Sequence, residues 1–133
     1  MNNRIGEQVG EYTLLEFLGK GKYAKAYKVV KTSELDTEKF YCIKMLNKDQ
    51  IDSFPKLQNY FKDEKYIMMH NNHPNILKMY ECFVNENDTE KNYCLVNDYC
   101  NCGDLKYFLK KNGKIPETKA IYFIKQIFNG IIQ

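Results

Sequence analysis

The chain has 133 residues, about one domain's length, with 44% hydrophobic and 28% charged residues, only 3 prolines and 7 glycines. That composition excludes a disordered, collagenous or low-complexity chain. A net charge of +3, with Arg4 the single arginine among 20 basic residues, argues against a nucleic-acid binder, which relies on arginine forks and clustered charge.

No apolar run approaches the roughly 18 residues of a membrane span. Residues 1–7 lack the apolar core of an export signal. The five cysteines at 42, 82, 94, 100 and 102 are an odd count. Reduced thiols and a cytoplasmic setting are therefore expected.

Residues 1–10 are polar and read as a loose lead-in. Tyr12–Leu18 reads as a strand, ending at Gly19. Lys25–Lys31 reads as a second strand, so the Gly19–Ala24 segment between them is the turn of a hairpin. Thr32–Glu38 is polar and turn-like, and Phe40–Leu46 reads as a third strand. Lys56–His70 has a helical period, with Leu57, Tyr60, Phe61, Ile67 and Met68 on one face. Asn71-Asn72-His73-Pro74 stops it, because a residue before proline avoids the helical region. Ile76–Val84 and Asn92–Asn97 read as strands around a polar turn. Gly103–Lys111 reads as a short helix stopped by Asn112-Gly113. A last helix begins at Pro116 and runs to the end of the chain. The expected fold class is α+β: a five-stranded antiparallel sheet with one helix packed on it, then two further helices.

Two charges interrupt this pattern. Glu64 sits in the middle of the apolar stripe, and a carboxylate buried alone costs several kcal/mol. Lys44 sits mid-strand, on the face it shares with Cys42 and Leu46. The economical arrangement pairs Lys44 with Glu64 across the sheet–helix interface. The plain alternative is that both long side chains snorkel to solvent. Gly19-Lys20-Gly21-Lys22-Tyr23-Ala24 holds two of the three glycines of G-x-G-x-x-G. Alone it reads more simply as a turn, and a strand follows it, which excludes a dinucleotide fold. A glycine hairpin over phosphates, a strand lysine and a helix glutamate together make a phosphate-handling constellation.

These segments resemble the N-terminal part of a eukaryotic protein kinase domain, over roughly Tyr12–Gln133. Leu18–Ala26 resembles the glycine-rich loop, and Tyr41-Cys42-Ile43-Lys44 the V-A-I-K strand. Glu64, ten residues before Pro74, matches the glutamate of the C helix. His73-Pro74-Asn75-Ile76 matches H-P-N-I, and Leu95–Leu105 the fifth strand, hinge and following helix. Alanine at the third glycine position, with Tyr-Cys-Asn-x-Gly-Asp-Leu at the hinge, is most similar to autophagy-initiating serine/threonine kinases. Calcium/calmodulin-dependent-type kinases are the near alternative.

The resemblance implies a lead-in over 1–11 and a kinase domain over 12–133, with an N-lobe over 12–97, a hinge over 98–102 and the start of a C-lobe over 103–133. It implies that Leu18, Gly19, Lys20, Gly21, Lys22, Tyr23, Ala24 and Ala26 cover ATP, and that Lys44 binds the α- and β-phosphates. Glu64 would pair with Lys44. Ala26 and Cys42 would roof the adenine, with Asn97 behind it. Asp98 and Cys100 would offer hinge backbone groups, and Asp104 would lie near the ribose. Met68 and Met79 would link the helix to the sheet.

Three departures stand out. Ala24 replaces the third glycine. Ala26 is smaller than the usual valine. Asn97 puts a polar amide where the family usually has Met, Leu, Phe or Thr, so it needs a hydrogen-bond partner or costs roughly 1–3 kcal/mol. The H-R-D and D-F-G motifs do not occur in these residues. The expectation is a chain inactive on its own, with Mg2+ ligands outside it. The last helix would then expose Ile121, Ile124, Phe128 and Ile131 to a missing lobe or a partner.

Cys100-Asn101-Cys102 has no second cysteine pair at zinc spacing, so no metal site is expected. His70 is expected on the helix surface and His73 in a turn. Three functions stay open: an ATP-binding kinase fragment acting on proteins, a truncated docking module, and a structural domain with accidental motifs.

Overall fold

The computed structural model describes residues 4–87 and 89–132. Among them β1 (Gln8–Val9), β2 (Tyr12–Lys20), β3 (Ala24–Lys31), β4 (Tyr41–Asn47), β5 (Met79–Glu86) and β6 (Lys91–Asp98) form one antiparallel sheet. The spatial order is β1-β2-β3-β4-β6-β5. The helices are α1 (Lys48–Ser53), α2 (Pro55–His70), α3 (Leu105–Asn112) and α4 (Glu117–Ile131), and a 3-10 turn covers Thr32–Glu34. The α+β class holds, with one strand and one helix more than the sequence pattern suggested.

The extra strand overturns the loose lead-in. Arg4 is only 8% exposed. Its Nε and Nη2 donate to the two oxygens of Glu7 at 2.7 and 2.8 Å, and its Nη1 lies 3.6 Å from Glu90. This fork is the geometry that suits arginine and not lysine. It ties the N-terminal segment to the β5–β6 turn, and Val9 beside it is fully buried. Gly10 turns the chain from β1 to β2 at φ +58°, and a Cβ there would meet the Phe83 ring at 2.8 Å. Residues 1–3, the start of the expected lead-in, lie outside the described residues.

The extra helix, α1, carries one buried apolar residue, Ile51, so it leaves no periodic signature. Its local signal is the Asn47 cap, whose Oδ1 accepts from the Gln50 N–H at 2.9 Å. The Tyr93 hydroxyl donates to Asp52 at 2.7 Å and holds α1 against β6.

Both faces of the sheet carry core. One face packs Tyr12, Leu14, Tyr27, Val29, Ile43 and Val96. The other packs Leu46, Met79 and Leu95 against Leu57, Phe61 and Met68 of α2. Both methionines thus link helix to sheet, as expected. The stripe on α2 is narrower than expected. Tyr60 and Ile67 are exposed because they lie roughly a quarter-turn from the line through residues 57, 61, 64 and 68.

After β6 the chain enters α3 and α4, which touch through Phe108 and Phe123, with ring centroids 5.9 Å apart. Pro116 is the N-cap residue and not the first helical residue of α4. Gly130 brings α4 close to the 75–76 segment, where an added Cβ would lie 3.2 Å from the Asn75 carbonyl oxygen. Ile121, Ile124, Phe128 and Ile131 of α4 are exposed, as expected from the sequence.

Candidate functional site

β4 is paired on both sides, to β3 and to β6, so its backbone is held along its length. Lys44 lies on β4 opposite Ala26 and Leu95, on the face that α2 covers. Glu64 projects from α2 toward it, and Lys44 Nζ donates to Glu64 Oε1 at 2.9 Å. The pairing alternative is the one realised. The two side chains keep 33% and 41% of their exposure. A pair this open to solvent contributes about 0–1 kcal/mol to stability. Its consequence is positional: a free ammonium on a four-carbon stem sweeps many rotamers, and a fixed carboxylate holds it to one region.

That region is a cleft of about 430 Å³ lined by Gly21, Lys22, Ala24, Lys44, Tyr60 and Glu64. Its roof is the β2–β3 hairpin, closed by the Gly21 N–H donating to the Ala24 carbonyl at 2.8 Å. The fold does not itself require glycine there. A Cβ on Gly19 would meet nothing within 4 Å, and one on Gly21 only the Ala24 oxygen at 3.9 Å. Neither glycine has a positive φ. Open space at both glycines lets a bulky group approach the hairpin backbone closely.

Further along the same face, Ala26 and Cys42 lie on β3 and β4, and Asn97 on β6 is directly opposite Cys42. Burial pushes the Cys42 thiol pKa up, which keeps it a neutral, apolar surface. Asn97 is 5% exposed. Its Oδ1 is buried and has no hydrogen-bond partner among the described residues. Of the two outcomes expected for this amide, a partner or an energetic cost, the described residues show the costly one.

Asp98 ends β6, and its carboxylate is held from two directions. The Tyr80 hydroxyl donates to Oδ1 and the Lys78 N–H to Oδ2. The bond to Asp98, followed by partial burial, pushes the Tyr80 phenol pKa up to about 12. Tyr80 is a residue that sequence reasoning missed, because an exposed tyrosine on a strand gives no pattern signal. Beyond Asp98, the Tyr99 and Phe40 rings bracket Lys28 Nζ at 4.9 and 4.1 Å, and Cys100, next in the chain, is exposed.

Asp104 serves the fold directly. Its Oδ1 accepts from the Tyr107 N–H at 2.7 Å and caps α3. Leu18 and Lys20 lie on the outgoing end of β2. His73 Nδ1 accepts from the Asn75 N–H at 3.0 Å within its turn, and His70 lies on the surface of α2. Among the described residues no group of three or more His, Cys, Asp or Glu side chains could hold a metal ion. No described helix is long and apolar enough to cross a membrane.

A sheet with a helix-held lysine beneath a glycine hairpin, followed by two helices, is the arrangement of the front part of a protein kinase domain. The chain belongs to the protein kinase family: the family's sequence model, "Protein kinase domain", matches residues 12–132. Among its curated relatives is human serine/threonine-protein kinase tousled-like 2, 33% identical over 125 residues, covering 90% of this chain and 15% of the relative. Dictyostelium discoideum serine/threonine-protein kinase atg1 is 30% identical over 128 residues, covering 94% of this chain and 18% of the relative. Schizosaccharomyces pombe serine/threonine-protein kinase ppk31 is 29% identical over 121 residues, covering 91% and 11%. The chain thus spans less than a fifth of the length of these relatives. Among solved structures, the kinase domain of Mycobacterium tuberculosis PknI superposes with a TM-score of 0.74 at 16% identity, covering 98% of this chain and 50% of that one. That likeness concerns the fold.

Proposed function

We propose that the chain is the ATP-binding front part of a protein serine/threonine kinase domain. The carrying observation is the Lys44–Glu64 contact at 2.9 Å, set under a hairpin whose glycines the fold does not need. In this reading residues 12–97 are the N-lobe, 98–102 the hinge and 103–133 the start of the C-lobe. The hairpin backbone covers the triphosphate. Lys44, aimed by Glu64, neutralises the α- and β-phosphate oxygens. Ala26 and Cys42 roof the adenine, Asp98 and Cys100 present hinge backbone groups to its edge, and Asp104 lies near the ribose. Magnesium, which protein kinases use with ATP, would be held by residues outside these 133 and would supply neutralisation of phosphate charge.

The aspartates of H-R-D and D-F-G do not occur in these 133 residues. The proposal therefore has these residues bind nucleotide without transferring its phosphoryl group. In the complete protein the acceptor is a protein serine or threonine, a reading supported by the relatives' names. Five free thiols support a reducing, cytoplasmic setting.

The test is ATP affinity of Lys44→Met measured by calorimetry, with circular dichroism reporting the fold. A rise in Kd of about tenfold or more, with the fold kept, is expected from loss of a charge-assisted contact. Unchanged affinity in a folded variant would overturn the proposal. The exposed apolar face of α4 favours a second reading, a docking module. That reading predicts a stable complex through α4 whether or not nucleotide binds.

A further inference from the structure

The other side of the hairpin carries a feature that the nucleotide site does not use. Lys20 on β2 and Lys25 on β3 are directly opposite each other in register. Like charges at that distance repel and destabilise a hairpin. Lys25 is in turn opposite Met45, whose side chain packs in the core face away from α2. These lysines therefore project on the face opposite Lys44. There they line a cavity of about 240 Å³ together with Arg4, Lys22 and Asn92. The carboxylate lining this cavity, Glu90, is already engaged by Arg4 at 3.6 Å and by the Asn92 side-chain amide at 2.9 Å. Among the described residues Lys20, Lys22 and Lys25 form no ion pair. Two cations without an ion pair, Lys20 and Lys25, thus line a polar recess whose lining carboxylate is spent, while Lys22, its ammonium 5.3 Å from the Tyr23 ring centroid, sits at the rim shared with the nucleotide cleft.

We propose that this recess is a binding site for a phosphomonoester dianion, distinct from the nucleotide cleft and behind the same hairpin. The compact ammonium heads suit a dianion as point charges. The recess exceeds the volume of one phosphate group, which leaves room for the ester it is carried on. Occupation relieves the Lys20–Lys25 repulsion and stiffens the hairpin from behind.

The experiment is a titration of the intact, isotopically labelled protein with inorganic phosphate, and separately with O-phosphoserine, at fixed ionic strength with chloride as the control. Saturable amide shifts over residues 20–25 are expected, with midpoints of about 1–10 mM. A phosphoserine midpoint clearly below that of phosphate assigns the site to a phosphorylated side chain. Equal midpoints assign it to free phosphate. The Lys20→Gln/Lys25→Gln variant should raise the midpoint about tenfold, whereas Lys44→Met should leave it unchanged. If Lys44→Met abolishes the response, the anion sits in the nucleotide cleft and the proposal fails. Shifts that never saturate, or that chloride reproduces, also overturn it. Lys25→Glu turns the repulsive register pair attractive. It should raise the melting temperature by about 1–3 °C while removing the phosphate response. An unchanged phosphate response in that folded variant would refute the site.

Discussion

Replacing Glu64 by glutamine keeps the size of the side chain and removes its charge. Both partners of the Lys44–Glu64 pair are more than 30% exposed, so solvent screens most of their attraction. The bare Coulomb energy at 2.9 Å is about 1.4 kcal/mol at the dielectric of water, and the entropy of fixing two long side chains offsets much of it. The net loss of stability should be about 0–1 kcal/mol, a fall in melting temperature of no more than about 3–5 °C. The effect on nucleotide should be larger in proportion. With its tether weakened, Lys44 returns to its rotamer ensemble and must be re-ordered on binding, at a cost of about 0.5–1.5 kcal/mol. That corresponds to a rise in Kd for ATP of about 2–10-fold. Thermal unfolding and calorimetric titration of the same preparation read both quantities. A fall in melting temperature beyond about 8 °C with unchanged ATP affinity would show that the contact is a structural bond, and the positional argument would be wrong.

Gly10→Ala should destabilise the protein by about 1–3 kcal/mol in chemical denaturation. It combines a left-handed backbone with a Cβ at 2.8 Å from the Phe83 ring. Asn97→Leu deletes a buried oxygen that has no partner among the described residues, and should raise the denaturation midpoint by the equivalent of about 1 kcal/mol; a lower midpoint would mean that the amide supports the fold. Tyr80 should ionise near pH 12 in an ultraviolet titration. Because the folded state holds that proton more tightly than the unfolded chain, the contribution is present below pH 10 and is lost as the pH rises through 10 to about 12. Asp98→Asn should bring this titration back toward the ordinary tyrosine value.

Much of the geometry of the candidate cleft was legible because it violates local patterns. A lysine inside a strand and a glutamate inside an apolar helix face each demand an explanation, and one contact supplies both. The glycine hairpin was legible only in company with them. What escaped the sequence depends on contacts distant along the chain. β1 is two residues long and is held by Arg4 reaching Glu90. α1 has a cap and one buried residue but no period. The brace from Tyr80 to Asp98 joins neighbouring strands whose offset includes a register irregularity between Met79 and Glu81. Asp104 read as a ribose neighbour by resemblance, while its capping bond follows from local backbone geometry.

The two halves of the Lys44–Glu64 contact rest on supports of unequal firmness. β4 is laddered on both flanks, so its amides should be in the last part of the sheet to open. α2 contains no fully buried residue and lies against the sheet through partly covered side chains alone. The contact therefore joins a fixed jaw to a loose one. Its amide-exchange signature should be lopsided, slow around Lys44 and fast around Glu64.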